Sequence, residues 1–184
     1  MKASLHLDRR TLILGGAVLT TALAMPAANA AAVPLRDFNF QDGSWKVHHR
    51  KLRKRLAGST DWYEFGGTTK AGPLMAGLAG YEDNLLDDPA GPYRAEGLRR
   101  LNPKTGLWSI WWWDERSEEI DPPVVGRFEN GVGTFHGDST VGEKTIRVRY
   151  IWDMPTAGVP RWQQAFSPDG GTTWESNWFM EFWR

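Results

Sequence analysis

After residue 30 this chain never runs far without a turn residue. Of its 20 glycines, all but Gly15 and Gly16 fall in that stretch. The runs between them are short and rich in aromatic and β-branched residues, and helical periodicity is scarce. Short runs with evenly spaced turn signals point to an all-β fold. Candidate strands are Ser44–Lys51, Asp61–Thr69, Gly77–Asn84, Tyr93–Leu101, Leu107–Asp114, Val124–Glu129, Gly133–Asp138, Thr145–Trp152, Arg161–Phe166 and Thr173–Trp183, about ten in all. "ENG", with Asn130-Gly131, suits a type I′ hairpin, because both central positions need positive φ. "NPKTG", Asn102 to Gly106, reads as another hairpin link, and "LLDDPAGP" and "MPTAGVP" as longer loops. No internal repeat or interdomain linker interrupts the pattern.

The first thirty residues read differently. Lys2, Arg9 and Arg10 form a positive start, and Thr11 to Met25 is an apolar run too short for a comfortable membrane span. Pro26 and "ANA" follow, a small-x-small cleavage signal that places cleavage after Ala30. The Arg9-Arg10 pair before a mildly apolar run resembles a bacterial twin-arginine export signal. The expected division is residues 1–30 as signal peptide and 31–184 as one domain, exported to the periplasm or the exterior, with no stable membrane anchor. Removing Lys2, Arg9 and Arg10 leaves 19 basic residues, and removing Asp8 leaves 21 acidic ones, for a net charge of −2. That balance gives no reason to expect a nucleic-acid partner. The chain has no cysteine, which excludes disulfides, thiolate metal sites, cysteine nucleophiles and a lipoprotein anchor together.

Two ends of the domain belong together. "FNFQDGSW" carries Gly43-x-Trp45 at the start of the first strand, and "WFMEFWR" ends the last strand with Arg184. This resembles the calycin superfamily of up-and-down barrels, in which an arginine from a late strand covers a G-x-W tryptophan at the closed base. Arginine on tryptophan combines cation–π attraction with planar packing. The resemblance implies a single antiparallel up-and-down β-barrel of about ten strands. More closely, "GSWKVHHRKLRKRLAGSTDWYEFGG", "GLWSIWWWD", "PPVVGRFENGVGTFHGD" and "RWQQAFSPDGGTTWESNW" resemble a bacterial family, domain of unknown function 1579, over nearly all of 31–184. That resemblance implies a fold and no known activity. The related nitrobindins bind haem through a barrel histidine. No haem-ligand motif can be matched here, so the residues name no cofactor and leave haem open.

Strand alternation assigns the faces. Trp108, Ile110, Trp112 and Asp114 share one side; so do Ile146, Val148, Tyr150 and Trp152; so do Trp162, Gln164 and Phe166. The last strand gives Trp174, Ser176, Trp178, Met180, Phe182 and Arg184 against Glu175, Asn177 and Glu181. Taking the apolar sets as inward, an interior lined by Trp108, Trp112, Asp114, Tyr150, Trp152, Trp162, Gln164 and Trp178 is expected to hold a small, largely apolar ligand. A packed core is the alternative. Trp111, Trp113, Phe179 and Trp183 then face outward and need a cover. The candidates are the arm Ala31–Phe40, the basic run His48–Gly58, or a second copy in a homodimer, which is the expected one.

The run "HHRKLRKRLAG" is expected to be a solvated loop or helix, or else the end of a long first strand passing into a short helix. "SPDGGTTW" is similar to the Asp-box hairpin found repeatedly in sialidases. A propeller needs several blades, so one copy is read as a turn motif in which Asp169 bonds turn amides and Trp174 plugs the hairpin base. Catalytic patterns are poor: no catalytic residue and no metal ligands are assigned. His136 with Asp138 could form a base–carboxylate pair, or Asp114 could act at the cavity mouth, while adjacent His48 and His49 point apart and cannot chelate together. A binding protein is therefore expected ahead of an enzyme or a purely structural module.

Overall fold

The computed structural model describes residues 37–184. The expected signal segment, with Arg9, Arg10 and the expected cleavage after Ala30, lies outside the described residues. The expected ten strands form: β1 Gly43–Leu52, β2 Trp62–Leu74, β3 Ala79–Leu86, β4 Tyr93–Asn102, β5 Leu107–Asp114, β6 Val124–Glu129, β7 Val132–Val141, β8 Lys144–Thr156, β9 Val159–Ser167 and β10 Glu175–Trp183. Each pairs antiparallel with its sequence neighbour, and β1 pairs with β10, so the sheet closes into an up-and-down barrel with no free edge. Closure gives every strand a neighbour on both sides, which an open sheet could not do, although β5 pairs with β6 only over Trp108–Ile110. The Asn130-Gly131 link has φ of 52° and 81°, the pair of positive values a type I′ turn requires.

The basic run carries the expected long first strand but not the expected helix. His48 to Leu52 are the second half of β1, paired to β2 on one side and mostly to β10 on the other, and 53–58 is a turn with no helix. The alternation that begins with Trp45 continues through it: Val47, His49 and Lys51 are buried, and Arg50 is exposed. The last strand also departs from simple alternation. The register shifts between Ser176 and Trp178, a bulge that leaves Asn177 fully buried. Trp178, Met180 and Phe182 point inward as expected. Before the bulge the faces are exchanged, and Trp174 packs outside the barrel against Arg149 and His136. The Asp-box hairpin behaves as a turn: Asp169 accepts hydrogen bonds from the Thr173 amide and hydroxyl, and the Gly171 amide donates to Ser167.

The lower end of the barrel is sealed by residues just before β1. Phe38 inserts edge-on between Trp108 and Phe128, with ring centroids 5.1 and 4.9 Å away. The Arg99 guanidinium covers its ring at 4.1 Å and forms a buried ion pair with Glu82 at 2.9 Å. Trp45 donates to the Gln41 carbonyl at 2.7 Å, and Arg184 lies over the Trp45 ring at 4.4 Å while donating to the Asp42 carbonyl. Gly43, with φ of 114°, lets the chain turn beneath that guanidinium. Gly43, Trp45 and Arg184 thus meet at the base. The side chain of Arg184 curls over the base from the outside rather than from within, because the residue lies just past the end of β10.

The four outer rings do not form one patch. Counted either way around the ring, β5 is the fifth strand from β10, so Trp111 and Trp113 lie across the barrel from Phe179 and Trp183. Phe179 instead neighbours Trp62, 5.6 Å away, with Arg50 over the Trp62 ring at 4.4 Å. Among the described residues, the end of the proposed arm packs in the base and the basic turn sits at the mouth. Of these rings only Phe179 is met by the basic run, through Arg50 at 5.9 Å from its centre, and Trp183 is 41% exposed.

Candidate functional site

At the upper end the barrel is not filled. A cavity of about 230 Å³ opens there, its apolar wall made by Trp112, Val148, Phe166 and Trp178 and its polar wall by Lys51, Arg55, Tyr150 and Gln164. Five of the eight expected lining residues meet here: Trp112, Asp114, Tyr150, Gln164 and Trp178. The other three lie deeper. Trp108 donates to Asp37 and packs on Phe38, and Trp152 packs on Phe40 and Phe182, so both belong to the sealed base. Trp162 is part of the floor, edge-on to Tyr150 at 4.9 Å and to Trp178 at 5.2 Å. Strand alternation names the inward face but not the depth along the barrel, and depth separates floor from wall.

Trp112 now has its place. It faces in and meets Trp178 edge-on at 5.6 Å, so these two indoles form an aromatic corner of the cavity. Gln164 donates to Asn177 at 2.8 Å; the bulge supplies the partner that fixes the amide.

The residues that sequence reasoning missed are the cations. Lys51 is only 4% exposed. Its Nζ donates to the Tyr93 hydroxyl at 3.1 Å, lies 4.1 Å from the Trp178 ring centre and stands 4.0 Å from Asp88. Burial, with help from the Arg55 charge, pulls its pKa down to about 8. Burial likewise pushes the Tyr93 hydroxyl up to about 12 and raises that of Tyr150, so both remain donors. The turn after β1 folds Arg55 over the rim, 5.6 Å from the Phe166 ring, and is tied down where the Leu56 amide donates to Glu175 at 2.6 Å. Arg55 forms no ion pair among the described residues, and burial lowers its pKa. The signal for Lys51 was present in the sequence: Trp45 inward puts Val47, His49 and Lys51 on the same face. Nothing local placed Arg55.

Arg116 is spent differently. It grips Asp114 through two side-chain hydrogen bonds, at 3.1 and 2.7 Å, and its guanidinium lies 3.4 Å above the Tyr93 ring. Burial opposes the charge of Asp114, but the Arg116 hydrogen bonds outweigh it and hold the carboxyl below its usual range. A carboxylate held that way is a poor general acid at neutral pH. The other catalytic candidate also fails to assemble. His136 packs on Trp174 outside the barrel, and Asp138, at the rim of the cavity, accepts from Arg147 at 3.0 Å instead of pairing with His136.

His49 is the inward histidine of β1. Its Nδ1 accepts from Trp178 at 3.2 Å, its ring stacks on Phe65 at 4.7 Å, and its Nε2 would be only 2.9 Å from a Cβ placed on Gly67. Both nitrogens are occupied or crowded, so His49 does not fit as a haem ligand. Burial, with Lys51 and His48 adding, lowers its pKa to about 3, so it is neutral. Among the described residues, no three histidine or carboxylate side chains gather as a metal-ligand set.

A wider, open hollow of about 590 Å³ lies on the outer side of β1 to β4, walled by Lys46, Lys70, Asp83 and Arg94. Its Arg94 is already bonded to Asp83, and it lacks the enclosure that buries a small ligand. The mouth cavity is therefore the stronger site. No protein-family model matches the chain, and no curated protein matches it significantly in sequence.

Proposed function

We propose that this chain is an exported, calycin-like barrel of the domain of unknown function 1579 type that binds a small, largely apolar ligand in its mouth cavity. The observation that carries the reading is the cavity itself: aromatic walls at Trp112, Phe166 and Trp178, with Lys51 and Arg55 at one side. Such a site gains affinity from apolar burial and selectivity from a few polar groups. Its size favours a single-ring ligand over a long acyl chain. A cavity of about 150 Å³ suffices for benzene, and drug-sized sites start at roughly 300 Å³. The two cations favour a ligand whose polar end is electron-rich or anionic.

Titration of tryptophan fluorescence with benzoate and benzyl alcohol tests this. Trp112 and Trp178 form the wall, so saturable quenching is expected. Unchanged fluorescence and unchanged melting temperature with every single-ring ligand would leave a structural role or an enzyme acting at the cavity mouth. Export is tested by replacing Arg9 and Arg10 with lysine and fractionating the cells; mature protein reaching the exterior as before would refute a twin-arginine route. A homodimer remains our proposal for covering the outer rings, now through either the Trp111–Trp113 side or the Phe179–Trp183 side rather than one joint patch. Sedimentation of a clean monomer at micromolar concentration would reject it.

A further inference from the structure

We propose that Lys51 captures an aldehyde-bearing ligand covalently, as a reversible imine formed inside the mouth cavity. This rests on the ligand-binding reading above and goes beyond it in chemistry. Lys51 is nearly buried, yet its side chain forms part of the cavity wall. Of the three hydrogens an ammonium carries, one is placed on a protein oxygen, the Tyr93 hydroxyl at 3.1 Å. Asp88 is 4.0 Å away and already accepts from Tyr63 at 3.0 Å and from the Ala90 amide at 3.0 Å. The amine is therefore held in position beside Asp88 rather than bonded to it, on a side chain that lines the cavity.

Its surroundings set how often it is a free base. Arg55 from the turn after β1 and Arg116 from the loop after β5 oppose its charge; Asp88 before β4 and Asp114 at the end of β5 favour it. His49, its neighbour on the inward face, is neutral, and Tyr63 and Tyr93 keep their protons because burial raises both. Burial dominates. With a pKa of about 8, roughly one amine in five is neutral at pH 7.4, against about one in a thousand for an ordinary lysine. A desolvated lysine of this kind is an activated nucleophile.

The step balances without any oxidant or reductant. The Nζ lone pair attacks the aldehyde carbon, a C–N bond forms, and the carbonyl π pair moves to oxygen. That oxygen takes up a proton while nitrogen loses one, with the Tyr93 hydroxyl at 3.1 Å placed to relay it. The carbinolamine hydroxyl then takes up a proton and leaves as water as the nitrogen lone pair forms the C=N bond, and the iminium returns that proton on releasing its N–H, so aldehyde and amine give imine and one water. A protonated imine would keep the Trp178 ring beneath it and Asp88 nearby.

Benzaldehyde with cyanoborohydride, which fixes the imine as a secondary amine, tests the proposal on the full chain by intact mass and peptide mapping. Benzyl alcohol, of the same size but unable to condense, is titrated in parallel by fluorescence. The expected result is one adduct, on Lys51, formed at least tenfold faster than on any other lysine, with a rate that rises through a midpoint near pH 8. Lys51→Arg should lose the adduct, and Tyr93→Phe should slow labelling. Uniform labelling of the lysines, or an unlabelled Lys51 beside a normal benzyl alcohol response, overturns the imine and leaves the cavity reading standing. No adduct on Lys51 and no response to benzyl alcohol overturns both. Should Lys51→Arg fail to fold, the map of the unaltered chain decides alone.

Discussion

Arg99 and Glu82 stand 2.9 Å apart in the base of the barrel, with side chains 2% and 7% exposed. Replacing Arg99 by methionine removes one partner and strands the other. A buried pair broken this way costs about 3–5 kcal/mol, because the remaining charge has lost its compensation. Arg99 also covers the Phe38 ring at 4.1 Å and donates to Gln41, so its loss loosens the plug as well. For a domain of this size that is on the order of 10 °C in Tm, at ~2–4 °C per kcal/mol. Adding Glu82→Leu should restore at least ~2 kcal/mol, since a buried ion pair replaced by apolar side chains is often neutral. The pH dependence has a definite sign. Burial raises the Glu82 pKa above the ordinary range while Arg99 pulls it back. Without Arg99 it rises further. A carboxyl raised in the folded state contributes stability that is full below its unfolded pKa of about 4.3 and is lost as pH rises through its folded value. The deficit of Arg99→Met should therefore be smaller near pH 4.5 than near pH 7.5. Urea unfolding at the two pH values, for both single variants and the double variant, measures all of this. A deficit under ~1 kcal/mol, or one unchanged with pH, would refute the account of the base.

Three further outcomes are expected. Arg184→Ala should cost about 1 kcal/mol in urea unfolding, the worth of an exposed cation–π contact plus its stem packing. Gly67→Ala should cost at least ~2 kcal/mol, because an added Cβ would lie 2.5 Å from the Leu85 carbonyl oxygen and 2.9 Å from His49. Arg55→Ala should weaken benzoate about tenfold or more while changing benzyl alcohol little, since a hydrogen bond to a charged group is worth ~1.5–3 kcal/mol; equal losses for both ligands, read by fluorescence, would place Arg55 away from the polar end.

Much of this barrel was legible as sequence because its signals are local. Strand length, the Asn130-Gly131 turn and the Asp169 hairpin each depend on a few adjacent residues and need no distant partner. The Trp45 and Arg184 pair was legible from the two ends of the chain because closing an up-and-down sheet brings first and last strands together. Trp112 inward between Trp111 and Trp113 followed from the two-residue repeat alone. Four things came only with the tertiary structure. The bulge at Asn177 reversed the faces before it, and one extra residue in a ladder leaves little mark on composition. Position around the ring put Trp111 and Trp113 opposite Phe179 and Trp183, which alternation cannot register. Depth along the barrel divided the inward tryptophans, sending Trp108 and Trp152 to the sealed base and leaving Trp112 and Trp178 at the open cavity. The mouth cations came last: a run of lysines and arginines reads as a solvated surface until strands on both sides bury Lys51 and a turn lays Arg55 across the opening.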